Sequence, residues 1–238
     1  KQVGMLAMVS GQYWYGDFCS GTLIHYKWVA TAAHCIEAAE DYERQGYDIY
    51  FVTGTDWNNL FDYAKVSQLI PHPQYNPNTL VHDIGLLELQ SGMNSSGTYP
   101  INRDSPVTFG NNAEVTYVGW GITGDNRNDS GTKRTVTIDY YGYDSQVVYT
   151  LDNAGQTNIC SGDSGGAALM KDGGDFELVG VNSFTFNVNG GQAYCEGNGA
   201  AAGSIRLDNH ANWIEGYTGD LEDTSGGGNN NGGGGGGN

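Results

Sequence analysis

Three short segments carry side chains whose types could do chemistry together. They are Ala30-Thr31-Ala32-Ala33-His34-Cys35, His82-Asp83-Ile84-Gly85-Leu86-Leu87 and Cys160-Ser161-Gly162-Asp163-Ser164-Gly165-Gly166. They offer an imidazole, a carboxylate and a hydroxyl framed by glycines. A serine hydroxyl is a weak nucleophile at neutral pH and needs a neighbouring base. Singly, each segment has a plain structural reading. A His beside a Cys is usually structural, an Asp before an apolar run often starts a strand, and a Ser between glycines usually sits in a turn.

The elements that must position these residues read as strands. Val3–Val9, Ile49–Val52, Val66–Ile70, Ile84–Leu89, Ala113–Val118, Thr135–Tyr141, Ala167–Met170, Leu178–Val181 and Ser204–Leu207 are short β-prone runs. Turn residues separate them, as in Thr53-Gly54-Thr55-Asp56 and Lys171-Asp172-Gly173-Gly174. Many short strands between Gly-rich turns predict an all-β sandwich or barrel. Helix signals are confined to Thr31–Ala39 and Asn209–Tyr217, the second with Asp208 or Asn209 as its cap. A Ser-, Asn-, Gly- and Pro-rich break from Asn94 to Asp104 divides the chain, and the boundary between two β-modules is placed around Pro100–Pro106.

Composition narrows the function classes. Lys plus Arg is 10 and Asp plus Glu is 27, a net charge of −17 in 238 residues, which repels nucleic acid and anionic membrane surfaces. No apolar run approaches the roughly 20 residues needed to cross a bilayer, so no stable membrane insertion is expected. The four cysteines, Cys19, Cys35, Cys160 and Cys195, allow three pairings and form no CxxC zinc motif. Asp56 and Asp62, between Val52 and Val66, are too few carboxylates for a calcium site, and neither metal nor cofactor is expected.

Together the three segments resemble the chymotrypsin/trypsin family of serine endopeptidases, whose chain order is His…Asp…Ser. His72-Pro73-Gln74-Tyr75-Asn76, Gly119-Trp120-Gly121, Ser183-Phe184-Thr185 and Asn212-Trp213-Ile214 extend the resemblance over roughly residues 3–217. It implies two six-stranded antiparallel Greek-key barrels with the active site between them and a short C-terminal helix. On that reading, residues 1–99 form a barrel carrying His34 and Asp83, and 100–219 a barrel carrying Ser164. Residues 220–238 form an acidic, then Gly/Asn-rich disordered tail.

The resemblance also implies roles. Ser164 attacks the scissile carbonyl, His34 relays its proton, Asp83 orients His34, and the N–H groups of Gly162 and Ser164 form the oxyanion hole. Ser183 bonds Asp83 and helps seat the substrate backbone. Cys19 pairs with Cys35, and Cys160 with Cys195 across the specificity pocket, which implies an oxidising compartment. The first bridge closes a loop of about 15 residues, worth roughly 3 kcal/mol. Protein or peptide substrates, a protein inhibitor and a propeptide are the implied partners; a zymogen-like or non-catalytic binding module on the same fold is the alternative.

The sequence departs from the family in places. Asn158 stands where an Asp selects Arg or Lys, and Thr185 and Ala202 replace glycines that often line a deep pocket beside Phe184. Cleavage after an uncharged residue of modest size follows, unless Asp175 or Glu196 supplies the missing charge. Active members begin with an Ile-Val-Gly-Gly-like terminus whose ammonium pairs with the residue matching Asp163. This chain opens Lys1-Gln2-Val3-Gly4-Met5, and eight to ten further residues are expected upstream. The Gly/Asn tail is similar to spacers before removable sorting anchors on secreted bacterial proteases, which makes a cell-surface or periplasmic location the alternative to free secretion.

Overall fold

Side-chain alternation along the chain sets the architecture: in the strand Arg134–Tyr143 every second residue turns outward, the period of two expected of a sheet with one wet face. The computed structural model describes residues 2–93, 97–105, 113–172, 174–219 and 221. Their order is β1 (Val3–Ser10), β2 (Tyr13–His25), β3 (Trp28–Thr31), α1 (Ala33–Arg44), β4 (Asp48–Asp56), β5 (Asn59–Pro71) and β6 (Gly85–Leu89), then β7 (Glu114–Gly119), β8 (Arg134–Tyr143), β9 (Val147–Leu151), β10 (Ala167–Asp172), β11 (Asp175–Asn187), β12 (Ala200–Arg206) and α2 (Ala211–Thr218).

The strands close into two six-stranded barrels of antiparallel pairs, ordered β1-β2-β3-β6-β5-β4 and β10-β11-β12-β9-β8-β7. Among the described strands, closure leaves no unpaired sheet edge to template aggregation. Leu23, Val29, Phe51 and Leu87 pack in the first barrel's core, and Val115, Tyr117, Ile138, Val148 and Val179 in the second's. The first core is continuous with Val118, Ala167, Leu169, Val181 and Ile205 of the second barrel, so apolar contact bridges the pair.

Several sequence expectations need correction. Thr53-Gly54-Thr55-Asp56 is no turn: bulged β4 runs to Asp56, and the hairpin reverses at Trp57-Asn58. There Asp56 Oδ1 accepts the Asn58 N–H at 2.9 Å, an Asx-type contact that fixes the reversal one step later. The first helix begins at Ala33 and runs past Ala39 to Arg44, burying Ala33, Ile36 and Ala39 on one face; Gly46, at φ +92°, follows its end. Neither Asp208 nor Asn209 caps α2, whose N-cap is His210. Asp208 is held by Arg206, Nε to Oδ1 at 3.0 Å, and the Asn209 amide donates to the Ser145 carbonyl at 2.6 Å. Strands β2, β3 and β9 come in addition to those expected. Gly173, Pro106 at the expected boundary, and residues 222–238 of the tail lie outside the described residues.

Candidate active site

Asp83 is fully buried in the turn leading into β6, and His34 lies in the first turn of α1. One carboxylate holds both the ring and the backbone of His34: Nδ1 is 2.7 Å from Oδ2, and the His34 N–H donates to Oδ1 at 2.9 Å. Ser183, on β11 of the other barrel, donates its hydroxyl to Oδ2 at 2.5 Å. A buried carboxylate is costly unless its lone pairs are met, and here three donors meet them. With the Nδ1 proton turned to Asp83, the basic electron pair of a neutral His34 is on Nε2. The His34 side chain is 29% exposed, so it is reachable where its carboxylate is not.

The segment that carries Ser164 is clamped from both barrels. The Ser164 carbonyl accepts the Ser20 N–H at 2.8 Å and lies 3.6 Å from Sγ of Cys35, the residue after His34. From β11, Asn182 accepts the Gly165 N–H at 2.7 Å and donates its side-chain amide to the Asp163 carbonyl at 3.2 Å. Gly165 sits at φ +81°, and a Cβ there would fall 2.3 Å from the Ser20 carbonyl oxygen, so this position demands glycine. The peptide between Gly162 and Asp163 is fixed at both ends. Its carbonyl accepts the Ser20 hydroxyl at 2.8 Å, and its N–H donates to Cys160 O at 3.0 Å. Ser20 Oγ also accepts the Trp120 N–H at 3.0 Å. The disulfides Cys19–Cys35 and Cys160–Cys195, with Cα separations of 6.1 and 5.1 Å, brace the two ends of this arrangement.

Asp163 is directed at Gly119-Trp120-Gly121. Its Oδ1 accepts the Gly121 N–H at 2.8 Å and its Oδ2 the Cys160 N–H at 2.9 Å. Burial pushes its carboxyl up to about 6, against the pull of those two N–H groups and of Arg134. A cavity of about 190 Å³ adjoins it, with Gly119, Asn158, Cys195 and Glu196 in the wall.

The residues expected to read the substrate are close in the sheet. Thr185 pairs with Ala202, and Phe184 with Gly203, between β11 and β12. Ala202 is fully buried in the second barrel's core, packed in the same cluster as Ile159. Asn158 donates its amide to the Ala201 carbonyl at 3.2 Å and accepts the Ile159 N–H at 2.9 Å. Of the two acids named as sources of charge for this region, Glu196 shares the cavity with Asn158, whereas Asp175 opens β11 in the exposed hairpin with β10.

The sequence model of the trypsin family matches residues 3–214. The chain belongs to the trypsin family of serine endopeptidases. Similar relatives include a trypsin from Phaedon cochleariae, 33% identical over 197 residues, spanning 75% of this chain and 73% of that trypsin. Chymotrypsin-like elastase family member 1 from Bos taurus is 30% identical over 193 residues, spanning 74% of this chain and 70% of the elastase. This trypsin-family chain has the two-barrel, disulfide-braced scaffold that the sequence led us to expect, with a C-terminal helix. Family membership makes it a hydrolase of peptide bonds, so protein is its substrate class. Its disulfides fit an oxidising compartment, and no helix among the described residues is long and apolar enough to cross a membrane.

Two residues of the site escaped sequence reasoning. Ser20 and Asn182 hold the Ser164 segment through bonds to residues far along the chain, 142 positions away for Ser20 to Gly162. Nothing local distinguishes either from an ordinary strand residue.

Proposed function

We propose that the chain hydrolyses peptide bonds through His34, Asp83 and Ser164 as a catalytic triad, forming an acyl-enzyme on Ser164. Ser164 Oγ adds to the scissile carbonyl as His34 Nε2 takes its proton. The same proton then passes to the leaving amine, and water repeats the cycle to release the acid. Asp83 keeps His34 in the Nδ1–H tautomer and stabilises the imidazolium. The N–H groups of Gly162 and Ser164 receive the oxyanion, and the loss of one such donor costs about 100- to 1,000-fold in kcat. The observation that carries this reading is the 2.7 Å contact from His34 Nδ1 to a fully buried Asp83. A non-catalytic binding module would have no need of it.

Asn158, with Thr185 and Ala202, supports cleavage after an uncharged residue of modest size. An amide cannot neutralise a guanidinium, and an unpaired buried charge is expensive. The route by which Asp163 acquires a cation, an ammonium entering the adjoining cavity, is the activation step in this reading. The disulfides support secretion, with a protein inhibitor or propeptide as regulatory partners. A fluorophosphonate should label Ser164 in correctly processed protein, and a peptide-library profile should show uncharged residues before the cut. Absent labelling defeats the triad; a profile dominated by Arg or Lys defeats the specificity and turns attention to Glu196.

A further inference from the structure

Three of the five histidines in the chain meet at one place outside the proposed triad. His72 follows β5, His82 lies in the turn before Asp83, and His210 is the N-cap of α2, so three separate elements supply them. One ring nitrogen from each lies within 4.8 Å of the others. His72 and His210 are 8% and 1% exposed, and His82 is half-buried, so the cluster reaches the surface mainly through His82. We propose that His72, His82 and His210 bind one divalent transition-metal ion of the zinc class, leaving a fourth position to water.

The donor set fits that ion. Three imidazoles suit zinc, copper or nickel and not calcium or magnesium, which take oxygen ligands. His210 is already arranged as a ligand: its Nδ1 lies 2.6 Å from the Arg206 carbonyl, which takes the proton there and leaves the Nε2 electron pair free to bind. That Nε2 faces His82 Nδ1 at 3.0 Å. Ligands on one tetrahedral zinc stand about 3.3 Å apart, given Zn–N near 2.0–2.1 Å. The ion would therefore take the place of the hydrogen bond between these rings, and the proton on His82 Nδ1 would move to its Nε2 through solvent. His72 Nδ1 receives only a long bond, 3.3 Å from the Gln74 N–H. The His72 and His82 rings now stack at 21°, so binding requires one of them to turn about its side chain. Ligating histidines must be neutral.

Position gives the site its consequence. His82 has φ +55° and directly precedes Asp83, and Leu80 in the same turn also has φ +55°. A metal here would tie the turn that presents Asp83 to the helix that ends the second barrel. An ion that binds the folded chain and not the unfolded one raises stability by mass action.

The test is calorimetric titration of the full chain with zinc(II) alone after chelator treatment, alongside thermal unfolding and the visible spectrum with cobalt(II). We expect one ion per chain, a tetrahedral cobalt spectrum and a raised Tm. Loss of an outer-shell partner already weakens metal sites 10- to 100-fold, so His72→Gln and His82→Asn should each weaken binding by at least about 100-fold. His25→Gln and His34→Ala should leave it unchanged. His210→Asn is buried; if it fails to fold, the other two variants decide. Failure to bind zinc, or binding that survives His72→Gln and His82→Asn, would overturn the proposal and leave the cluster as aromatic packing against Trp213. These binding readouts do not depend on peptidase activity, so they stand apart from the triad.

Discussion

Asp83, fully buried in the proposed triad, and Asp163, half-buried beside Ser164, are carboxylates whose surroundings differ. Asp83, in the first barrel, receives an imidazole, a backbone N–H and the Ser183 hydroxyl. Asp163, in the second, receives two backbone N–H groups beside a cavity of about 190 Å³, and burial drives it up to about 6. The first arrangement is complete as it stands. The second is one in which a further cation would be strongly favoured, because it would relieve the desolvation that now opposes the charge. On the proposed reading, a carboxylate serves orientation in one barrel and awaits a cation in the other.

The comparison can be broken most forcefully at Asp83. Asp83→Asn would leave the side-chain shape but favour the wrong His34 tautomer, and kcat should fall about 10,000-fold with the fold retained by circular dichroism. A loss of less than about tenfold would remove the orienting role.

Asp163 makes the opposite kind of prediction, in stability. Its carboxyl is raised above the unfolded value of 3.8, so the native state holds its proton more tightly. Its contribution is therefore fully present below about pH 4 and is lost as pH rises through about 6, with a size on the order of 3 kcal/mol. Denaturant titrations from pH 4 to 7 should show this decline, and Asp163→Asn should flatten it. A flat profile in the unaltered chain would mean that a cation already satisfies the group.

Smaller effects sharpen the picture. Ser20→Ala strips the Gly162 carbonyl and the Trp120 N–H of a buried partner, which should cost about 2 kcal/mol in unfolding free energy and slow acylation. Ser183→Ala removes one of three donors to Asp83 and should lower kcat about tenfold, about 1.4 kcal/mol, with little change in Tm.

What the sequence discloses and what it hides follow from range. The GDSGG stretch was legible through its resemblance to the family's serine segment, and Gly165, at φ +81° against the Ser20 carbonyl, gives the glycine there a structural reason. The apolar runs of β1 and β6 announced themselves by composition. The first half of β12 did not: Ala200-Ala201-Ala202-Gly203 has little intrinsic β preference and is extended because β9 and β11 pair with it on either side, whereas its Ser204–Arg206 end was expected. Most of β2 was hidden in the same way by Gly16, Asp17, Ser20 and Gly21, small or polar residues that fit between neighbours already in place. His72, His82 and His210 looked like parts of three unrelated segments, since only the docking of α2 on the first barrel brings them together.

The most direct measurement of the central claim is mass-spectrometric trapping of the acyl-enzyme with a nitrophenyl ester in correctly processed protein. The adduct should map to Ser164 and form several thousand-fold more slowly or worse in His34→Ala, given the roughly 10,000-fold cost of disabling such a base. An adduct on another residue, or one that forms equally fast without His34, would contradict the account.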